Sequence, residues 1–412
     1  GLKIRASYGE IGNQNVPSYS YTPTMELNNK YNGWLSGSDF VTAISSLPAL
    51  VSNSFTWEKV GTLDFGLDIS LLNNRLNGTF DWYQRDTKGM LAPGMQLPGV
   101  VGASAPYQNT ADMRTTGWEL NLNWRDQIGK EFKYGVNVNM AYNKNEVTEV
   151  NNANHFIEGG NDLLAQSTGR FVRMEEGHPI GYFYGYKTDG VIQNQNDLQA
   201  YLDQNCKGNA ANSKQGASIK PGDLKFVDVD GNGVINDDDK TDLGNPHPDV
   251  TMGLTLSAEY KGFDFSVTTY GAFGAQVARS WRNIIDVYEN YTTEVYDYWH
   301  GEGTSNRYPL LAPGNSGQNF QAISDIYIDD ADYVRIQNLT IGYDFKRIWK
   351  NCPFQQLRVY AAAQNLFTFT GYKGMDPENG RALNDKEPWV TGVDVGNYPQ
   401  PRTYMVGVNV KF

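Results

Sequence analysis

The sequence predicts an all-β protein whose strands form part of a transmembrane antiparallel β-barrel. Three observations support this: many segments alternate apolar and polar residues, the composition favours strands and turns, and short and long connections alternate along the chain. The chain has 412 residues, with 13% aromatic residues, 26 Tyr and 43 Gly. Mean hydropathy is −0.53, and no apolar run approaches the ~20 residues of a membrane helix. Any membrane crossing must therefore be made by strands.

The charge balance and the cysteine content limit the partners and the chemistry. A net charge of −12 argues against binding to a phosphate backbone, which needs clustered Lys and Arg, so nucleic acid is not expected as a partner. Cys206 and Cys352 are too few for a disulfide framework and carry no metal-binding spacing. On the topology developed below they lie at opposite ends of the barrel and should not pair.

The last nine residues give the clearest strand signal. Residues 404–412 alternate strictly between two sets. One set is Tyr404, Val406, Val408, Val410 and Phe412, and the other is Met405, Gly407, Asn409 and Lys411. A strand whose apolar face meets lipid, and which ends on an aromatic residue at the interface, is expected to look like this.

The same alternation occurs in an opening strand that begins at Leu2 and in four hairpins. The hairpins occupy residues 63–83, 118–142, 250–267 and 339–361, and the clearest turns are Asn73-Asn74 and Lys261-Gly262. With the last strand this gives about ten strands. The polar positions are expected to line a hydrated lumen, and they include Asp64, Asp68, Asp81, Arg85, Glu119, Arg125 and Lys133.

The connections between these strands alternate in length. The links after the second, fourth, sixth and eighth strands are short, whereas the others are long, namely 10–61, 88–113, 144–249, 274–331 and 371–401. Short turns at one rim and long loops at the other are typical of transmembrane β-barrels, with the long loops outside the cell. Segment 144–249 is therefore predicted to be a long extracellular loop insertion.

Within this insertion, residues 228–239 have the pattern of a calcium-binding loop. Oxygen-bearing side chains fall at positions 1, 3, 5 and 9, Gly233 allows a sharp turn at position 6, and position 12 is Asp where an EF-hand has Glu. Hard oxygen ligands favour Ca²⁺, which we expect to be structural because no flanking helices are apparent. The alternative is an acidic, solvated turn. The candidate ligands are Asp228, Asp230, Asn232, Val234, Asn236 and Asp239.

A second long loop contains aromatic and aliphatic residues at near-helical spacing. They are Trp281, Ile284, Ile285, Tyr288, Tyr291, Val295, Tyr298 and Trp299. The simpler interpretation is a short helix whose apolar side packs onto the other loops; exposed aromatics that bind a sugar ring or a partner protein are the alternative.

Enzyme signatures are not found in the sequence. The four histidines are scattered, and no metalloprotease, nucleophile-elbow or phosphate-loop motif occurs. The protein is therefore not expected to be an enzyme.

Several motifs together resemble the SusC/RagA family of TonB-dependent outer-membrane transporters, and they do so in order along nearly the whole chain. They lie at residues 6–15 (ASYGEIGNQN), 57–68, 73–76, 117–119, 181–190 (GYFYGYKTDG), 221–223, 244–246, 333–343 (YVRIQNLTIGY), 364–367 and 398–404 (YPQPRTY).

The resemblance implies that residues 1–412 are the C-terminal part of a 22-strand barrel in the outer membrane of a Bacteroidetes-type bacterium. Gly1 would then be an internal position, and the plug that contacts TonB-ExbB-ExbD would lie outside this chain, as would the remainder of the barrel. The implied function is energised import of glycan fragments or peptides. A SusD-like surface lipoprotein is the expected partner, closing over the outer loops on an oligosaccharide or peptide substrate.

Two other functions remain open at the level of sequence. One is a stand-alone ten-strand outer-membrane enzyme, which would need Asp and His facing one another at the outer rim. The other is a secreted β-protein that binds carbohydrate through aromatic loops and stays soluble without detergent.

Overall fold

The structure is a computed structural model of all 412 residues. It describes residues 1–13, 22–23, 35–36, 39–40, 50–52, 56–93, 99–102, 106–164, 168–280, 292–311, 317–349, 351–378 and 387–412. Within these residues, no helix is both long enough and apolar enough to cross a membrane.

Ten strands form one antiparallel sheet in which every strand pairs with its neighbours in sequence. This confirms the predicted fold class. The strands are β1 (Leu2–Asn13), β2 (Glu58–Leu71), β3 (Leu76–Pro93), β4 (Tyr107–Ile128), β5 (Phe132–Val150), β6 (Val250–Tyr260), β7 (Phe263–Phe273), β8 (Tyr333–Asp344), β9 (Gln356–Thr370) and β10 (Thr403–Lys411).

Short turns lie at one rim of this sheet and long loops at the other, as the connection lengths predict. The β6–β7 turn consists of Lys261 and Gly262, both with positive φ (48° and 90°), which is the two-residue geometry that matches the twist of the flanking strands. At the other end β3, β4 and β5 run further than the alternation predicts. The expected link 88–113 is therefore wrong in extent and shortens to 94–106, and the insertion after β5 begins only after Val150.

The sheet is open within the described residues. β1 pairs only with β2, and β10 pairs only with β9, so the two edge strands do not meet. A backbone edge in lipid would leave N–H and C=O groups without partners, and membrane barrels therefore close. These ten strands are one part of a wall, which disfavours a stand-alone ten-strand barrel.

The long loops carry their own small sheets and helices. Phe156–Gly159, Val172–Glu175, Tyr182–Tyr186 and Lys240–Asp242 form a four-stranded sheet; Thr188–Val191 pairs with Leu224–Phe226; Leu35–Ser36 pairs with Asp39–Phe40; and Gln276–Arg279 lies between Ile328–Asp330 and Val393–Asp394. The helices are α1 (Gln195–Asn205) and α2 (Gly317–Gln321), with 3-10 turns at Gly99–Val101, Ala210–Asn212, Gly216–Ser218, Asp237–Asp239, Thr293–Asp297, Asp325–Tyr327 and Phe345–Arg347.

The main hydrophobic core lies in this loop assembly and not in the barrel wall. Phe183 of the β5–β6 insertion, Phe320 of the β7–β8 loop and Val390 of the β9–β10 loop are all almost fully buried in one cluster. The long-loop ends of β4 and β5 join it through Ala111 and Val147. Three loops thus fold together into one body seated on the rim.

Candidate functional site

One face of the sheet is apolar and exposed. Cross-strand register aligns Leu67, Phe80 and Leu120 in one row, and the relative exposures of Leu67 and Phe80 are 36% and 41%. On the edge strand β10, Val406 reaches 81%. Soluble proteins rarely expose a continuous apolar face of this kind, so the face requires an apolar environment, which a bilayer supplies.

Aromatic residues border this apolar face at both ends. Toward the long loops, Trp118 and Tyr142 stack with ring centroids 6.3 Å apart, and Phe65 lies 6.0 Å from Trp82. Toward the short turns a second row begins at Tyr134, eight residues before Tyr142 on β5. At ~3.3 Å per residue and ~40° tilt, the rows are ~20 Å apart along the membrane normal, near the ~25 Å apolar band of an outer-membrane barrel. The wall therefore has the two interfacial girdles of a membrane barrel.

The opposite face is polar, as predicted for the lumen. The register puts Asp64, Asp68, Asp81, Arg85, Glu119, Arg125 and Lys133 on this one side. Arg5 forms ion pairs of 3.0 Å with Asp68 and 2.7 Å with Asp81. A recess of ≈ 730 Å³ opens on this face near the short turns, where Arg125, Lys133 and Glu259 are among the lining residues. The lumen wall thus carries many fixed polar groups with both signs of charge.

The acidic loop 228–239 brings three of its predicted ligands together. One carboxylate oxygen each from Asp228, Asp230 and Asp239 lies within 4.8 Å of the others. Asp239 is fully buried, and its carboxylate accepts hydrogen bonds of 2.8 Å from the backbone N–H groups of Val229 and Asn236. Asp228 likewise accepts from several backbone N–H groups of the turn, including that of Gly233 at 2.7 Å. The loop therefore holds its carboxylates in a fixed cluster.

The other predicted ligands serve the turn itself. The amide of Asn232 donates to Asp230 Oδ2 at 2.7 Å, and its Oδ1 accepts from the N–H of Val234. Asn236 caps the 3-10 turn Asp237–Asp239, its side chain accepting from Asp238 N. Ile235, which directly precedes Asn236, is buried in the loop core and anchors the segment.

Next to this loop is a pocket lined by several cationic side chains. The hydroxyl of Tyr186 donates to Asp237 Oδ1 at 2.6 Å, and this hydrogen bond is the main reason why the pKa of Asp237 falls to about 2. Lys214 donates to the Tyr186 oxygen at 2.5 Å, and burial lowers the pKa of Lys214. Lys240 is 3.2 Å from the same Asp237 oxygen. The pocket has a volume of ≈ 200 Å³ and includes Arg170.

The aromatic segment of the β7–β8 loop is described only in part. Trp281, Ile284, Ile285, Tyr288 and Tyr291 lie outside the described residues. Val295 belongs to the 3-10 turn Thr293–Asp297, Tyr298 stacks on Tyr308 at 5.0 Å, and Trp299 donates to Gln193 at 3.3 Å. Tyr298 and Trp299 both pack against the loop core. These two residues pack within the loops, as the simpler interpretation predicts, but neither of them lies in a helix.

Sequence reasoning missed the buried cations that join separate loops. Arg279 is fully buried, 2.5 Å from Asp329 and 3.1 Å from Glu294. Arg335, at the long-loop end of β8, is 2.6 Å from Asp376. Strand parity alone would put Arg335 on the apolar face with Leu339 and Ile341. A bulge between Ile336 and Asn338 turns it to the polar face, and no local signal identifies its partner 41 residues away. Cys206 and Cys352 are free, as predicted.

Comparison with known proteins agrees with this geometry. A family model described as TonB dependent receptor-like, beta-barrel, matches residues 1–366. TonB-dependent receptor P3 of Formosa agariphila is 31% identical over all of this chain and 39% of its own length. TonB-dependent receptor SusC of Bacteroides thetaiotaomicron is 30% identical over all of this chain and 37% of its own length. The chain thus spans about two fifths of the length of these curated relatives, which are named as receptors and not as enzymes.

Solved structures support the fold. The structure of the RagAB peptide transporter aligns with a TM-score of 0.74 at 23% identity, covering 100% of this chain and 41% of that one. The RagAB peptide importer in its closed-closed state aligns with a TM-score of 0.73 at 23% identity and the same coverage. At 23% identity these structures show only that the fold is shared. Membership of the family rests on the family model, which matches most of the chain. The chain therefore belongs to the TonB-dependent receptor-like β-barrel family, whose members lie in the bacterial outer membrane.

Proposed function

We propose that this chain forms part of the barrel wall and the outer loops of a transporter for TonB-dependent active import of glycan fragments or peptides across the outer membrane. The observation that carries the proposal is the ten-strand wall itself, with one lipid-compatible face and one polar face, under a folded loop assembly. Relatives named as TonB-dependent receptors support the energy source.

The remaining partners are part of the same proposal. The open edges at β1 and β10 are completed by the remainder of the barrel, which carries the plug that TonB-ExbB-ExbD acts on. A SusD-like surface lipoprotein closes over the long loops. The similarity to the RagAB peptide transporter favours peptides, and oligosaccharides remain the other substrate class that the resemblance to the SusC/RagA family implies.

We also propose that loop 228–239 holds a structural Ca²⁺. Asp228, Asp230 and Asp239 would bind it, because three carboxylates this close repel one another unless a cation neutralises them. Although their oxygens accept backbone hydrogen bonds, each carboxylate oxygen has two lone pairs and retains capacity for a metal. Bound Ca²⁺ would fix the loop beside buried Ile235 and so stiffen the loop assembly.

Cryo-EM of the complex purified in detergent from its native outer membrane, with every co-purifying chain retained, tests the import function. We expect these residues to form one side of a larger plugged barrel with a lipoprotein over the long loops. In parallel, cells are given fluorescently labelled oligosaccharides or peptides, with and without a protonophore. The proposal would be contradicted if the sheet closed into a ten-strand barrel by itself, or if the rate of uptake were the same with and without the protonophore.

A further inference from the structure

The pocket beside Tyr186 carries more positive than negative charge in a chain whose net charge is −12. Three cationic side chains, Arg170, Lys214 and Lys240, line it against the single carboxylate of Asp237. An adjoining open groove of ≈ 570 Å³ shares Lys214, Asp237 and Gln318 with it and is also lined by Asp238. The pocket is thus a local cationic site on an acidic protein.

The two lysines are held in place by their surroundings. Lys214 lies over the Tyr186 ring at 4.5 Å from its centroid, and Lys240 lies at 5.5 Å. Tyr186 itself is almost fully buried and is fixed by its hydrogen bond to Asp237. Ordered ammonium groups lose little conformational freedom when a ligand binds, so they bind an anion better than mobile surface lysines do.

These cations retain donors for a ligand. Each ammonium has three N–H groups, and Asp237 Oδ1 serves both lysines, at 3.6 Å from Lys214 and 3.2 Å from Lys240. Arg170 is exposed and makes no ion pair or hydrogen bond with any described residue. Gln318 and Gln321, from α2 of another loop, also line the pocket. Two loops therefore present a converging set of donors.

We propose that this pocket binds a carboxylate group of the imported cargo. Charge-assisted hydrogen bonds from ammonium and guanidinium groups to a carboxylate are about twice as strong as neutral ones, and the pocket size suits one anionic group with its neighbouring atoms. The carboxylate could come from a uronic acid of a glycan fragment or from the C-terminus of a peptide. The inference rests on the proposed import function, because it treats the ligand as cargo.

The test uses the detergent-purified complex and calorimetric titration with two matched probe pairs. One pair is trigalacturonate and its methyl ester; the other is acetyl-trialanine with a free or an amidated C-terminus. We expect the acid form of one pair to bind at least about tenfold more tightly than its neutral partner, and more weakly in 300 mM than in 50 mM NaCl. The pair that shows the difference identifies the source of the carboxylate.

The double variant Arg170→Gln/Lys240→Gln should lose this preference, whereas Lys187→Gln, an exposed lysine in the same insertion, should keep it. Lys214 contacts Tyr186, so binding by the Lys214→Gln variant is interpreted only if its melting temperature matches that of the unaltered protein. Equal binding of acid and neutral probes, or an unchanged preference in the double variant, would overturn the pocket. Carboxylate-selective binding without cellular uptake would support the pocket proposal and contradict the import function. Uptake without any carboxylate preference would support import and contradict the pocket proposal.

Discussion

The guanidinium of Arg335 lies 2.6 Å from a carboxylate oxygen of Asp376, and both side chains are almost completely shielded from solvent, with 4% and 11% exposure. Arg335 also donates to Glu378 at 2.7 Å and to Thr368 at 3.0 Å. The pair joins the start of β8 to the β9–β10 loop. It therefore fixes that loop to the barrel rim.

Replacing Arg335 by Met should destabilise the protein by about 3–5 kcal/mol, because the buried carboxylate of Asp376 would lose the guanidinium charge that Arg335 places beside it. Arg75→Met is the matched control, since Arg75 pairs with Asp126 at 3.2 Å but is 55% exposed, and should cost at most about 1 kcal/mol. The measurement is the temperature at which the folded band disappears in heat-modifiability electrophoresis. Equal shifts for the two variants would contradict the expectation.

Calcium should bind to loop 228–239 and stabilise the outer loops. At 100 times its dissociation constant, Ca²⁺ would add about 2.7 kcal/mol to the free energy of unfolding. Asp230→Ala should abolish the rise in melting temperature, whereas Asp238→Ala, an exposed acid of the same loop outside the cluster, should preserve it. Calorimetry of chelator-treated protein with CaCl₂ gives the affinity directly. If the unaltered protein gives no heat of binding, the calcium proposal is wrong and the loop is an acidic, solvated turn.

The pH dependence of the loop assembly should include His247. Burial lowers the pKa of His247, only partly offset by its 2.9 Å hydrogen bond to the carbonyl of Ile180. The folded state therefore binds fewer protons than the unfolded state, whose His pKa is ~6.5. The contribution of His247 to the free energy of unfolding should be fully present above pH ~6.5 and should be lost as the pH falls from there toward the folded-state pKa. His247→Gln should flatten the melting temperature between pH 7.5 and 5, and His300→Gln, an exposed histidine, should not.

A lysine on the apolar face should cost far more than one on the polar face of the same strand. Val138 of β5 lies between Leu122 and Leu254 in the apolar rows, whereas its neighbour Asn137 faces Asn123 on the lumen side. Val138→Lys should cost about 2–4 kcal/mol near the bilayer midplane, and Asn137→Lys much less. Folding yield in lipid vesicles measures the difference. If the two variants fold equally well, or the protein is monodisperse without detergent, the secreted β-protein gains support.

Local patterns predicted the barrel wall because the two-residue repeat of a strand fixes which side chains share a face. Alternation in residues 404–412 and the Lys261-Gly262 turn needed no long-range information, and parity alone placed Asp68 and Glu119 on the polar face. The acidic spacing in 228–239 likewise brought Asp228, Asp230 and Asp239 together, since a tight turn folds on itself. Calcium occupancy there stays a prediction.

Tertiary structure alone decided how the loops combine. Arg335 meets Asp376 across 41 residues, and Lys214 and Lys240 share one pocket with amides from α2 although no motif links them. The extra length of β3, β4 and β5 also depends on pairing with neighbours, because their residues at the long-loop rim lose the alternation that marks a lipid-facing strand. There β4 and β5 pack into the loop core through Ala111 and Val147. Periodicity is a local property, whereas burial and ion pairing arise where distant segments meet; the sequence therefore determined the wall, and the fold decided the site above it.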